Sequence, residues 1–544
     1  MKMIKKPLLV SLAAAALLTG NANAASMFDR MTAMEQQMKA LETELADVKQ
    51  QNEELSAAAS EEEEATVAVA ENEEEDGEEG EDDEEGEASF QEETEEALEY
   101  FDERISELNK NTTGNHLKFG VDFRTSVDNL QYKMADGSTQ KNDALLTNRL
   151  WLNMNWLATD NLSFTGQLAY NNAYGARSGF TGQIAGFETF DWITNENPYD
   201  GIVRVKSAYF FYRNDELFGA DLPWTFSVGR RPSTNGHIVN LRDDDVASSP
   251  MGHNINVEFD GASAKFTVYQ DWGTYFKFCA GQGGTNANTK FFSTTPTGVV
   301  VPGGAPYAEV DGQVPDIYLG GVIFVPYDDG QYSIGTQYYY ASNLIDANID
   351  FSNPAAPQML GMQDVGGMHA FTANMIIDGV GNGWSEFLDE TTIFASAAVS
   401  ITNPKTGAGE QGMLGSQDAL TGYSAWAGIQ FPSLISNAGR WGLEYNKGTA
   451  NWRSITYAED TLAGSKLAAR GDAYEAYFTE PLIGDIFSFQ LRYTYIDYKY
   501  TGSNGFFGST TGKPQLISTL TPQQGSAYVV DTAQDIRAYL RYRF

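Results

Sequence analysis

The feature that most constrains this chain is an alternation of apolar and polar residues that begins near His116 and runs to Phe544. In the first run Leu117, Phe119, Val121, Phe123 and Val127 alternate with Lys118, Asp122, Arg124 and Asp128. A period of two puts successive side chains on opposite faces of an extended strand, so each run makes one apolar and one polar face. Asn148–Trp156 sets Leu150, Leu152, Met154 and Trp156 against Arg149, Asn153 and Asn155, and Leu162–Tyr170 does the same. Further runs lie near 203–213, 224–231, 254–269, 274–281, 317–325, 331–341, 368–377, 391–401, 422–431, 439–447, 472–480, 486–499 and 533–544. Together they predict about sixteen strands. The run 254–269 slips phase at Asp260-Gly261, as a bulge or a turn would. One alternating strand fits a soluble sandwich equally well, so the links decide. Long links near 171–202, 232–253, 282–316, 342–367, 402–421, 448–471 and 501–532 take turns with short ones such as Thr159–Asn161, Pro326–Gly330, Pro432–Ala438 and Pro481–Asp485. A link of about ten residues is expected after 134. This asymmetry predicts an all-β, transmembrane antiparallel barrel over 115–544.

The residues before the barrel follow other rules. Lys2, Lys5 and Lys6 precede a short apolar run and Ala22-Asn23-Ala24, so 1–24 reads as a secretory signal peptide. Over 25–56 an apolar seam steps by four and three through Met31, Met34, Met38, Leu41, Leu45, Val48, Asn52 and Leu55. That spacing predicts an α-helical coiled coil, with Asn52 as the lone polar seam residue that sets register. An amphipathic helix packed on its own chain is the alternative. Residues 57–96 form an acidic linker that cannot bury a core and is expected to be disordered. Leu98, Phe101, Ile105 and Leu108 then mark a short helix over 97–110.

Charge narrows the function. The formal net charge is −39, from 35 basic and 74 acidic residues. Between Glu61 and Glu103 there are 24 acidic residues and no Lys or Arg, so most of the imbalance belongs to the linker. Such a chain is no nucleic-acid binder, which would need a basic surface to neutralise phosphates. A single cysteine, Cys279, excludes a disulfide framework. His116, His237, His253 and His369 are scattered, and no nucleophile motif stands near them, so no enzyme, metal site or cofactor is expected.

Alternation also names interior candidates. Arg124, Arg149, Arg204, Lys206, Arg230, Arg440, Arg492, Arg537 and Arg541 are expected to line the barrel's inner wall, because a charge facing lipid at mid-depth costs about 2–4 kcal/mol. Asp122, Glu444, Glu475 and Asp535 are acidic wall candidates. Asp243, Asp244 and Asp245 lie in the link after Arg230-Arg231. They are candidates for a constriction loop facing the basic wall, or for an outer loop meeting divalent ions on lipopolysaccharide.

The last strand sets Ile536, Ala538, Leu540, Tyr542 and Phe544 against Arg537, Tyr539, Arg541 and Arg543. An amphipathic strand closing on Tyr542 and Phe544 resembles the signal read by the barrel assembly machinery of Gram-negative outer membranes. Phe226-Ser227-Val228-Gly229-Arg230-Arg231-Pro232 and Trp441-Gly442-Leu443-Glu444-Tyr445-Asn446 resemble an uncharacterised family of coiled-coil-bearing, porin-like proteins. The resemblance implies a barrel in the cell outer membrane, among its lipid and lipopolysaccharide, with a pore as its default role. The expected function is passive diffusion of small polar or ionic solutes through a homo-oligomer, a trimer for preference, with the coiled coil in the periplasm. Two rivals stand beside it. One is an anchor tethering the coiled coil to peptidoglycan. The other is a barrel sheath in a larger export or electron-transfer complex.

Overall fold

The computed structural model describes residues 117–175, 191–234, 236–287, 291–294, 297–302, 307–309, 314–350, 358–407, 412–456, 459–503 and 512–544. The expected signal peptide, coiled coil, acidic linker and short helix lie outside these residues.

Among the described residues, sixteen antiparallel strands close into one barrel. In chain order they are β1 (Lys118–Met134), β2 (Thr139–Leu157), β3 (Leu162–Ala173), β4 (Arg204–Leu217), β5 (Ala220–Ser233), β6 (Ile255–Tyr269), β7 (Thr274–Gly284) and β8 (Ile317–Asp328). The second half is β9 (Tyr332–Asp350), β10 (Gln358–Asp378), β11 (Thr392–Pro404), β12 (Thr421–Pro432), β13 (Arg440–Gly448), β14 (Gly471–Ile483), β15 (Phe487–Tyr498) and β16 (Val530–Arg543). Each strand pairs with its sequence neighbours, and β1 pairs with β16 to shut the sheet. At that seam Val121 and Phe544 exchange N–H···O bonds of 2.7 and 2.9 Å. A closed sheet leaves no backbone edge unpaired, which is the condition for crossing a bilayer with strands.

The alternation has become an inside and an outside. On β1, Phe119, Phe123 and Val127 are exposed, while Asp122, Arg124 and Asp128 are buried. On β16, Ile536, Leu540 and Tyr542 face outward with exposed Phe544 beyond them, and Asp535, Arg537, Tyr539 and Arg541 are buried. An apolar outer face around a polar interior is the arrangement that hydrocarbon outside and hydrated groups inside demand. This is a transmembrane β-barrel.

The links sort by end. Short links 158–161, 218–219, 270–273, 329–331 and 484–486 share one end with the start of β1 and the end of β16. Long links 174–203, 234–254, 285–316, 405–420, 449–470 and 499–529 share the other. Phe218 and Gly219 both have positive φ (52° and 81°), the geometry of a two-residue hairpin turn that follows strand twist. Two expected links differ. The link after 134 is the tight turn 135–138, because the polar run Thr139–Asp143 extends β2 beyond the readable alternation. Most of 342–367 is strand rather than loop. Register shifts between Ala341 and Leu344, Leu344 and Ile345, and Asn348 and Ile349 break the period there.

One sector departs from polar-in patterning. On β8, Ile317, Leu319, Ile323 and Val325 point inward and are buried, although outward neighbours such as Val322 and Phe324 are apolar too. They cluster with Ile193, Met251 and Ile255, which come from the long links and the start of β6. Apolar side chains inside a barrel need such a cover, since water would otherwise wet them.

Candidate functional site

Two long links turn into the barrel and build its interior. The first, 234–254, carries a single helical turn, Val239–Arg242. Wall side chains fasten its backbone. Gln337 of β9 accepts from the Met251 N–H (2.8 Å) and donates to its carbonyl (3.0 Å). Gln430 of β12 donates to the Leu241 carbonyl (3.1 Å) and Gln490 of β15 to the Arg242 carbonyl (2.9 Å). Arg541 of β16 donates to the Asp243 carbonyl (2.7 Å). Anchors on β9, on β12 and on the adjacent β15 and β16 mean that the link crosses the lumen rather than following one wall. His253 sits between the hydroxyls of Ser396 (2.8 Å) and Ser424 (2.9 Å), with Trp426 and Trp452 against its ring. Burial pushes its imidazole down to about 3, so it stays neutral at physiological pH.

The second link is 449–470. Its Ile455–Thr456 pairs in parallel with Ile255–Asn256 at the start of β6, so the two links touch. Asp460 at its tip receives Arg124 of β1 (2.7 Å), Arg537 of β16 (3.1 Å) and Arg492 of β15 (3.8 Å). Burial alone would raise the Asp460 carboxyl. Arg124, then Arg537 and Arg492, outweigh it and hold the group well below the usual carboxylate range. Lys466 stands between Glu444 (2.6 Å) and Glu475 (2.5 Å).

The structure places the candidate cations as follows. Arg124, Arg149, Arg492, Arg537 and Arg541 form one basic sector across β15, β16, β1 and β2, all buried, with Arg537 only 1% exposed. Each meets a carboxylate. Besides the Asp460 group, Arg541 spans Asp122 (2.9 Å) and Asp245 (2.7 Å), Arg149 lies 3.6 Å from Asp122, and Arg537 also bonds Asp128. Arg149 also lies over the Trp151 ring, its guanidinium carbon 3.6 Å from the centroid. Lys206 is buried against Glu258 (3.2 Å) and Glu196, and Arg204 pairs with Asp200 (2.6 Å). Arg230 reaches Asp191 (2.8 Å) and Glu258 (3.2 Å). Arg440 is exposed near the short-link end, 3.5 Å from Gln430.

The Asp243–Asp245 run does face the basic sector. Asp243 accepts from Tyr539 (3.1 Å), and Arg242 beside it also grips Glu475 (3.0 Å) across the lumen. Burial would raise the Asp243 carboxyl, but Arg242, Arg492 and Arg541 together hold it low. Asp244 is the outermost of the three, 3.4 Å from Arg543.

Three interior cations stand apart from this network. Arg231 of β5, Lys265 of β6 and Lys277 of β7 are half-buried. Arg231 donates to Ser263 (2.7 Å) and lies over the Tyr209 ring (4.9 Å), Lys265 lies over Tyr275 (4.0 Å), and Lys277 donates to Ser249 of the first link. Among the described residues, none of the three has a carboxylate within 4.0 Å. Sequence reading missed them as a group because the Asp260-Gly261 slip hid which β6 residues face inward. The pairing Lys265↔Lys277 is visible only once register is known.

A closed barrel with lipid-compatible exterior, polar interior and inward-folded links defines a porin-type transmembrane β-barrel. Residues 139–544 match the family described as "Protein of unknown function (DUF3373)", and the chain belongs to that family. A search of curated proteins finds no match in sequence. Among solved structures the chain is similar to outer-membrane expressed OmpT of Vibrio cholerae, at 11% identity and a TM-score of 0.40, covering 79% of this chain and 97% of that one. It is similar also to Pseudomonas putida OprB (12%, 0.41, covering 79% and 94%). A third is Salmonella typhi OmpF in complex with daunomycin (10%, 0.38, covering 79% and 98%).

Proposed function

We propose that this chain is an outer-membrane channel for passive diffusion of small polar or ionic solutes. The observation that carries the reading is the split character of one closed wall: apolar residues outward, ionised and amide side chains inward, with links 234–254 and 449–470 folded inside to narrow the passage. Such links set size and charge limits in a barrel of this width. The short-link end, which also holds both ends of the barrel sequence, is assigned to the periplasm. The coiled coil would then stand in the periplasm and favour a trimer, with the acidic stretch as spacer. The test is single-channel recording of the purified full chain in planar bilayers. Discrete ohmic steps that scale with salt support the reading, and a silent bilayer despite insertion overturns it.

One observation favours a second reading, the wall anchor. Arg242, Arg492 and Arg537 are each 1% exposed, so ion pairs fill the lumen around them rather than line water. A plugged barrel tethering the coiled coil to peptidoglycan would use such packing. Silent bilayers together with co-sedimentation on peptidoglycan would select it.

A further inference from the structure

We propose that Arg231, Lys265 and Lys277 form a binding site for small oxyanions, such as phosphate or a carboxylate, inside the barrel; the proposal rests on the channel reading only for its transport role. Lys265 and Lys277 are direct cross-strand partners on β6 and β7, and both side chains lie on the inner face with Ser263 and Cys279. Like charges directly opposite each other on one face destabilise a sheet unless something neutralises them. In the basic sector of β15 to β2, carboxylates from the links and from β1 do this. At Lys265 and Lys277 the near partners are the Tyr275 ring and the Ser249 hydroxyl, which ease a cation's burial without cancelling its charge, and the Asp328 carboxylate acts on Lys265 only from beyond 4.0 Å.

Arg231 completes the cluster from above. Its own cross-strand partner is Phe259, yet its guanidinium reaches Ser263 four positions further along β6. The residue between them on that face is Gly261, so no side chain stands in its path. Ser263 is two residues from Lys265, roughly 7 Å along the strand. Three cations and the hydroxyls of Ser263 and Ser249 thus converge at one level of the wall, beside the first inward link. An oxyanion accepts hydrogen bonds from ammonium, guanidinium and hydroxyl groups together, and it supplies the missing negative charge.

The test uses the full-length protein with inorganic phosphate as probe, in the wild type, the double variant K265Q/K277Q and the charge-preserving K265R/K277R. Two readouts are taken: equilibrium binding of radiolabelled phosphate to the purified protein, and reversal potential in a potassium chloride gradient. Heat-modifiable gel mobility checks that each variant is folded. Expected are saturable binding that weakens about tenfold per lysine removed, a chloride preference lost in K265Q/K277Q, and both largely kept in K265R/K277R. Phosphate binding unchanged in a folded K265Q/K277Q overturns the site, whatever the conductance. Conductance without anion preference in the wild type overturns its transport role and leaves the channel standing. Lysine-dependent binding in a silent protein sinks the channel reading and keeps the site.

Discussion

At the scale of single residues, Asp460 is the most consequential side chain in the interior. It lies on a link, yet it answers three arginines from three wall strands. Removing one partner of a buried ion cluster leaves uncompensated charge and costs about 3–5 kcal/mol. Asp460→Asn is therefore expected to loosen link 449–470, read as faster protease cleavage within that link while the barrel stays folded. Unaltered cleavage would mean that the arginines find other partners. His253 makes a prediction in pH. Its folded pKa of about 3 lies below the ordinary 6.5, so its stabilising contribution is full above 6.5 and falls as pH drops toward 3. The loss is about 1.4 kcal/mol per pH unit over that window. Asp243 and Asp460, held low, keep their contribution until the pH falls below the usual carboxylate range. Protection factors at 236–254, which correct for the slower intrinsic exchange at lower pH, should thus fall between pH 6.5 and 5 in the wild type and hardly at all in His253→Gln. A flat wild-type profile would exclude the imidazole as the cause.

At the scale of elements, the question is whether link 234–254 moves. The Tyr539 hydroxyl meets the Asp243 carboxylate at 3.1 Å, so cysteines at the two positions would lie about a tyrosine side chain apart, too far for a disulfide and within reach of a short bifunctional thiol cross-linker. In Tyr539→Cys/Asp243→Cys, cross-linking with such a reagent is expected to leave conductance within about twofold of the untreated state if the link is a fixed constriction. A many-fold fall on cross-linking would instead mark a moving gate. The same scale shows what could be read beforehand. β1 and β16 were legible because their alternation is unbroken and charged. The halves of β9 and β10 within 342–367 were not, since bulges near Leu344 shift the period and erase the pattern. The inward position of Arg124 and Arg537 followed from alternation alone. Their neutralisation did not, because Asp460 is 336 residues from Arg124 and its link carries no periodic signal. For β8 the trouble was the reverse: apolar residues on both faces conceal which one is inside.

At the scale of the whole molecule, barrel and N-terminal region should separate by function. A chain lacking 25–110 is expected to keep heat-modifiable mobility and single-channel steps. It should lose trimer on cross-linking and any peptidoglycan sedimentation. Retention of the trimer would move oligomerisation to the barrel wall. The split also explains the charge. The large negative balance resides before the barrel, whereas among the described residues most interior bases meet acids from the links or the wall; Arg231, Lys265, Lys277 and Arg470 are held without an ion pair.

The seam between β1 and β16 has a kinetic side. Asp122 and Arg541, which pair across it, are 419 residues apart in sequence. A contact so distant forms late, because the intervening chain must be ordered before its ends can meet. Until then the growing sheet shows two raw edges, open to any other strand in the envelope. The interior links depend on the same closure: Asp460 draws its cations from β1, β15 and β16, and so has no complete site on a half-made barrel. Packing of the interior and sealing of the wall should therefore be one cooperative event, with no long-lived intermediate that is shut but empty.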